Sequence, residues 1–181
     1  MFKRTIQAGL AVAGLSIASA AAVHASDSPT SSIRSQAMQC YTLYSMMMEE
    51  EPEDPYRNNI LGSQAMLMGT IYVWNSIGQG QEISQEQFDM ANNIAYTAII
   101  AGARTSVDEV AERLIHCEGW REDIISVLAL SRENFDDIQT ESDVRRVITA
   151  IPEPKASYPL QGVSRMELNL VIDEAMARHL N

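Results

Sequence analysis

Apolar residues recur along most of the chain at intervals of three and four positions, which is the period of one face of an α-helix. The first such stretch begins at Ile33, and we expect its helix to stop at Glu51 because Pro52 disfavours the helical conformation of the residue before it. The apolar positions of this helix are Ile33, Ala37, Cys40, Tyr41, Tyr44, Met47 and Met48. Cys40 is therefore predicted to lie on the buried side.

Start and stop signals divide the following chain into further helices. Asp54-Pro55 combines an N-cap oxygen with a proline suited to the first helical position, and it opens an almost wholly apolar helix that Gly78 ends. A serine followed three residues later by Gln or Glu has the spacing of a capping box, in which two side chains bond free amides at a helix start. This spacing predicts helix starts at Ser84, Ser106 and Ser164.

The second half of the chain completes the predicted architecture. The fourth helix is expected to end near Gly119, and residues 120–130 form either another helix or a continuation. A short helix is expected over residues 141–150, and the three prolines and the glycine of residues 152–162 predict the one long irregular connection. Since no strand-like alternation and no repeat is found, we predict an all-α, single-domain bundle of about five to seven helices over residues 33–181.

The first 25 residues have the order of a secretory signal peptide: Lys3 and Arg4, an apolar stretch diluted by glycine and serine, and a small-x-small exit at Ala25. An uncleaved membrane anchor is the alternative, but no basic stop-transfer cluster follows the apolar stretch. Residues 1–25 are therefore predicted to be removed, and residues 26–32 to form a flexible leader. The expected location is the periplasm or the cell exterior, with no stable membrane span after cleavage.

The net negative charge of the chain limits the kinds of partner that it can attract. Removal of Lys3 and Arg4 changes the formal net charge from −11 to −13. A surface of this kind repels phosphate backbones and therefore disfavours nucleic-acid binding. An attractive partner should be basic or cationic, or should bind through apolar contacts. The sequence indicates no particular oligomeric state.

Cys40 and Cys117 both survive signal cleavage, and an even cysteine count in an exported chain indicates a disulfide. The alternative is a pair of buried free thiols. Neither cysteine belongs to a CxxC motif or a metal-ligand cluster, so we expect a structural bond rather than a redox-active one. A signal followed by Cys40-Tyr41 in the first helix and a second cysteine at the end of a later one resembles the pattern of exported helical proteins of proteobacteria. That resemblance covers only the two-cysteine core and implies no function.

Candidates for catalysis are few. Only His116 and His179 remain after cleavage, 63 positions apart, and the chain contains neither a G-x-S-x-G nucleophile elbow nor an H-E-x-x-H zinc motif. His116 is therefore interpreted as an ordinary histidine on a helix face. The Gly78-Gln79-Gly80 sequence lacks the third glycine and the preceding strand of a dinucleotide loop, so it is interpreted as a helix-ending turn. No cofactor is predicted.

Methionines supply the candidate metal site. Met46-Met47-Met48 precede an acidic run, and Met66 and Met68 follow in the next helix. Thioethers are soft ligands that suit Cu(I), which exported proteins encounter, so Met46, Met48, Met66 and Met68 are the candidate ligands of a copper-handling protein. The alternative is that these methionines fill the core and that the acidic run is a solvated turn.

Four further apolar residues fall outside or beside the main buried stripes, namely Leu43, Met46, Ile115 and Trp120. They predict either an apolar groove for a partner helix, peptide or lipid-like ligand, or a second layer of the core, which is the favoured interpretation. The function expected from the whole sequence is non-enzymatic binding that inhibits or protects another exported protein or peptide. Copper handling is the alternative function, and hydrolysis by carboxylates alone comes third.

Overall fold

The computed structural model describes residues 29–49, 55–131 and 138–180, and the predicted signal peptide lies outside this part of the chain. Every regular element within these ranges is a helix. The helices are α1 (Pro29–Met47), α2 (Pro55–Gly78), α3 (Gln85–Thr105), α4 (Val107–Ser131), α5 (Glu141–Ala150) and α6 (Arg165–Leu180). With Cys40 bonded to Cys117, the predicted all-α bundle held by a disulfide is confirmed. No helix in the described ranges combines the length and the apolar character needed to cross a bilayer.

Helix ends follow the local signals where no distant contact competes with them. α2 begins at Pro55 and ends at Gly78, as predicted. α1 begins at Pro29, earlier than the predicted start at Ile33, because proline needs no amide partner in the first helical turn. It ends at Met47, before the predicted end at Glu51. α4 passes through Gly119 without a break, so the predicted helix end there is wrong and residues 120–130 continue the helix.

The serine caps are of two kinds. At Ser164 the hydroxyl accepts from the amide of Glu167 at 3.2 Å, while the Glu167 carboxylate accepts from the Ser164 amide at 2.8 Å. That backbone bond lowers the pKa of Glu167, and the same reciprocal arrangement forms at Ser84. Only one residue separates α3 from α4, so the Ser106 amide donates instead to the Gly102 carbonyl at the end of α3. The complete capping box predicted at Ser106 therefore does not form, although α4 starts there as predicted and the Ser106 hydroxyl accepts from the Asp108 amide at 3.1 Å.

Helix α1 lies at the centre of the bundle, where it contacts α2, α3, α4 and α6. The buried apolar side chains form one connected core. The largest of those with almost no exposure are Trp120, Tyr44, Leu43, Met68, Ile71, Ile99, Ile124 and Ile172. Leu43, Met46, Ile115 and Trp120 are all buried, which agrees with a second core layer, and Ile115 also borders a cleft at the surface of the bundle.

The Tyr44 hydroxyl is buried near the ion pair between Glu118 and Arg121, but it forms no hydrogen bond with either side chain. Burial is the main reason that the pKa of Tyr44 is raised, so its phenol stays neutral. A buried hydroxyl without a partner costs on the order of 1–3 kcal/mol. The contribution of Tyr44 to the core therefore comes from its ring.

The disulfide joins α1 to α4 inside this core. The Cα atoms of Cys40 and Cys117 are 5.4 Å apart, and both side chains are buried. The amide nitrogen of Gln36 lies 3.2 Å from the Cys40 sulfur and covers the bond on one side. The bond thus fixes the central helix against the helix that follows it three elements later.

Replacing both cysteines, Cys40→Ser with Cys117→Ser, should lower the free energy of unfolding by about 4–5 kcal/mol, since the bond spans 77 residues and restricts the unfolded chain. Urea unfolding followed by far-UV circular dichroism measures the change. Helical content without urea should persist, because the helices are also held by core packing. A loss smaller than about 1 kcal/mol would contradict this entropic account of the bond.

Candidate functional site

Residues 152–164 connect α5 to α6 without regular structure, and we call this segment the strap. The prolines of this segment predict such an irregular connection. Loops of this length inside a compact domain are uncommon and often carry function. The strap lies across α4, and the space between them forms the candidate site.

Two side chains of α4 hold the first part of the strap through its backbone carbonyls. The indole nitrogen of Trp120 donates to the Pro152 carbonyl at 2.8 Å, and the Trp120 ring is completely buried. His116 Nε2 lies 2.6 Å from the Lys155 carbonyl, which can only accept, so His116 carries a proton on Nε2. The helix-face histidine of the sequence analysis is therefore a strap contact.

A second set of bonds converges on Asp123 of α4. Its carboxylate pairs with Lys155 Nζ at 2.7 Å and accepts from the Tyr158 hydroxyl at 3.0 Å. The Lys155 amide donates to the same hydroxyl at 3.1 Å. The hydrogen bond from Lys155 is the main cause that lowers the pKa of Asp123, and it also raises the pKa of Lys155. Desolvation raises the pKa of Tyr158, so at neutral pH the pair is charged and the phenol neutral.

Gly119 provides the room for this arrangement. The Tyr158 ring lies directly against the backbone of α4, where a Cβ atom on Gly119 would collide with the Tyr158 Cβ, Cγ and Cδ1 atoms. Glycine inside a helix costs roughly 0.5–1 kcal/mol relative to alanine. The packing of Tyr158 against Gly119 offsets this cost, because a larger residue would push the strap away from α4. We call the bonds of Trp120, His116 and Asp123, with the Gly119 contact, the clamp.

Beside the clamp lies a cleft of about 140 Å³ between α4, the end of the strap and the start of α6. Its lining is mostly apolar, with two carboxylates. The residues that line it are Leu114, Ile115, Glu118, Gly119, Glu122, Pro159, Leu160, Gln161, Val163 and Leu168. Pockets for drug-sized ligands usually measure about 300–1,000 Å³, so this cleft suits one side chain or a group of similar size.

The two carboxylates of the cleft differ in whether they already have a bonded partner. Glu118 pairs with Arg121 at 2.8 Å. Glu122 is exposed and makes no hydrogen bond or ion pair to a residue in the described ranges, although its charge contributes to raising the pKa of Arg121. Glu122 therefore remains able to receive a cation from outside.

Helix geometry separates Met66 from Met68, two of the four candidate copper ligands. Met68 is fully buried, whereas Met66, two residues away on α2, is 70% exposed, so the two thioethers point to opposite sides. Met46 is buried and Met48 half-buried where α1 ends. Among the described residues, no group of three or more His, Cys, Asp and Glu side chains is placed to hold a metal ion.

A second cleft, of about 480 Å³, lies where α1, α2 and α5 meet. The fully buried Asn75 lines it; its Oδ1 accepts from Gln79, and its Nδ2 has no partner. Arg145 at the same cleft is already bonded to Glu141 and to the Gly78 carbonyl. The free amide of Asn75 suits a bound water as well as a ligand, so this cleft is the less specific of the two.

The strap is predictable from its prolines, but the contacts that make it part of a site are not. Glu122 and Leu160 were not among the candidate residues, since neither belongs to a motif. The available signal was the combination of Gly119 inside an apolar helical pattern and Tyr158 inside a proline-rich segment. A glycine within a helix can indicate close packing by another group, but its partner cannot be named from spacing alone.

Gly119→Ala should destabilise the protein by about 1–3 kcal/mol and release the strap, because the added methyl group overlaps the Tyr158 ring. Urea unfolding measures the stability, and the rate of tryptic cleavage after Lys155 measures strap release. Gly62→Ala is the matched control: the nearest atom to its new Cβ would be the Met48 sulfur at 3.7 Å, so it should be neutral or stabilising by up to about 1 kcal/mol. Equal effects of the two variants would contradict the role given to Gly119.

Asp123→Asn should reduce stability at neutral pH, with a difference from the wild type that disappears in acid. The folded-state pKa of Asp123 is lowered by Lys155, so its contribution is present above the unfolded pKa of about 3.9 and is lost as the pH falls through the folded value. Urea unfolding of both proteins between pH 3 and pH 7 measures the gap. The same gap at both ends of this range would show that the Asp123 charge does not hold the strap.

Comparisons with protein-family models, with curated protein sequences and with solved structures give no match for this chain. Function is therefore inferred from the geometry of the cleft.

Proposed function

We propose that this protein is exported and acts without catalysis, by binding another exported protein through a long basic side chain held in the cleft between α4 and the strap. The cleft itself carries the proposal, with its apolar walls, its room for one side chain and its two carboxylates. Lysine and arginine join an aliphatic stem to a charged end group, so they match this combination.

Glu122 supplies the charge that such a side chain requires. Because it is exposed and has no bonded partner among the described residues, binding does not have to break an existing ion pair. A charge-assisted hydrogen bond to a carboxylate is stronger than one between neutral groups. Glu118 on the preceding turn adds negative potential even though Arg121 partly neutralises it.

The net charge of the chain favours the same kind of partner. Without the signal peptide the formal net charge is −13. Such a field attracts basic surfaces and speeds their encounter, while it repels acidic ones. Selection by charge would therefore begin before the side chain reaches the cleft.

Apolar surface next to the cleft supports a protein partner over a free amine. Val163 lines the cleft and is 50% exposed, so part of the apolar wall continues onto the surface. Apolar residues around an anchor side chain exclude water from it in protein interfaces. A partner that covers Val163 and the cleft would be inhibited or protected at the surface it buries.

The clamp favours a holding role over proton transfer. Asp123, Lys155 and Tyr158 have pKa values shifted away from neutral pH and bond one another, whereas acid–base catalysis works best with a group that titrates near the working pH. A wall that is fixed before binding also lowers the entropic cost of association. Both features support recognition by a preformed cleft.

Capture from envelope extract tests the proposal. Protein purified as the cell exports it is immobilised as wild type, Glu122→Lys and Glu82→Lys, the last carrying the same charge change on the exposed turn before α3. Glu122→Lys should reduce the retained partner at least tenfold, a factor equivalent to about 1.4 kcal/mol. Glu82→Lys should leave its amount within about twofold of wild type.

The identified partner provides the second half of the test. Its contact residue should be a lysine or arginine, and changing that residue to glutamine should abolish retention. Raising the salt concentration should also weaken capture, because the surface part of the attraction is screened. A partner held equally by Glu122→Lys and by the wild type, or one whose contact with the cleft is acidic, would overturn the proposal.

A further inference from the structure

Helix α3 presents a face that the bundle leaves open. At 100° per residue, six of its residues fall within an arc of about 80°. In order along the helix they are Glu86, Met90, Ile94, Thr97, Ala101 and Arg104, and we call them the α3 face. All six are exposed, including Met90 and Ile94 with 59% and 67% of their surface accessible. The arc is therefore surface that contributes little to the core.

The two halves of the α3 face differ in side-chain size, and its two ends differ in charge. The large apolar residues, Met90 and Ile94, occupy the first half, and the small residue Ala101 lies in the second. The two ends carry opposite charges, Glu86 in the first turn and Arg104 in the last. Within the described part of the chain, neither of these charges has a hydrogen bond or an ion pair.

We propose that the α3 face pairs with the same face of a second copy of this chain, with the two helices antiparallel across a two-fold axis between Ile94 and Thr97. In this arrangement Met90 packs over Ala101 of the second copy, and Ile94 packs against its Thr97. Glu86 lies opposite Arg104 at both ends. Each contact occurs twice, as a two-fold interface requires.

Complementary side-chain sizes and charges favour the antiparallel orientation over the parallel one. Eighteen residues, five full helical turns, separate Glu86 from Arg104, so both charges lie on the same line along the helix, about 27 Å apart. A parallel pair would place Met90 against Met90 and Glu86 against Glu86, and it would align the two helix dipoles unfavourably. Antiparallel pairing instead gives every large residue a small neighbour and every charge an opposite one.

The expected dimer is weak and reversible. One pair of helices in contact over about 27 Å forms a small interface compared with the 1,200–2,000 Å² buried in stable complexes. Two acidic protomers also repel each other at long range. The interface leaves the cleft beside α4 open, since none of its lining residues belongs to α3. The dimer is therefore independent of the proposed partner.

Sedimentation velocity over a concentration series, on protein purified as the cell exports it, tests the pairing. The wild type should show a concentration-dependent shift from monomer to dimer. Ile94→Glu should weaken dimerisation at least tenfold, because it places two carboxylates near the axis. Met166→Glu, at an equally exposed apolar position on α6, is the matched control and should leave the dimerisation constant within about twofold.

Charge reversal tests the register. Glu86→Arg and Arg104→Glu should each weaken dimerisation, since each creates two like-charge contacts, and the double variant should restore it because both pairs are re-formed with reversed sign. The substituted residues are exposed, so far-UV circular dichroism should be unchanged. A chain that stays monomeric at all concentrations, a dimer lost in Met166→Glu but not in Ile94→Glu, or no restoration in the double variant would each overturn the proposal.

Discussion

The bond between Cys40 and Cys117 joins α1, which contacts most of the bundle, to α4, against which the strap packs. Cys117 stands directly beside His116 and one turn before Trp120, two of the residues that hold the strap through its carbonyls. Any movement of α4 relative to α1 would therefore displace both the inner wall of the cleft and the attachment of its outer wall. Core packing supplies the rest of the constraint, because Trp120 is completely buried while its indole nitrogen reaches the strap.

Features that depend on neighbouring residues could be predicted from the sequence, and features that depend on distant ones could not. The caps at Ser84 and Ser164 and the two ends of α2 follow from four or fewer adjacent residues, and they form as expected. At Ser106 the hydroxyl still caps α4 by accepting from the Asp108 amide, but the reciprocal bond of the capping box is absent because the end of α3 accepts from the Ser106 amide. These local outcomes explain why the fold class could be predicted with few errors.

The candidate site consists of features that depend on distant residues and could not be predicted. Gly119 has the local character of a helix end, but its structural role is set by Tyr158, which comes much later in the chain. The cleft likewise combines residues of α4 with residues of the strap and α6, whose approach no spacing rule describes. The methionines illustrate the reverse case: adjacency in sequence suggested a shared site, whereas the helical rotation between Met66 and Met68 separates them.

Three residues whose side chains form no hydrogen bonds help to fix the conformation of the strap. Pro152, Pro154 and Pro159 fix one backbone dihedral each and leave fewer conformations open to the unfolded segment. A segment with fewer conformations loses less entropy when it docks, so a small set of polar contacts is enough to hold it. Because these three positions also lack an amide hydrogen, the strap is a poor template for pairing with an extended chain. The outer wall of the cleft is thus biased against strand addition, and a visiting protein has to be recognised by what it inserts.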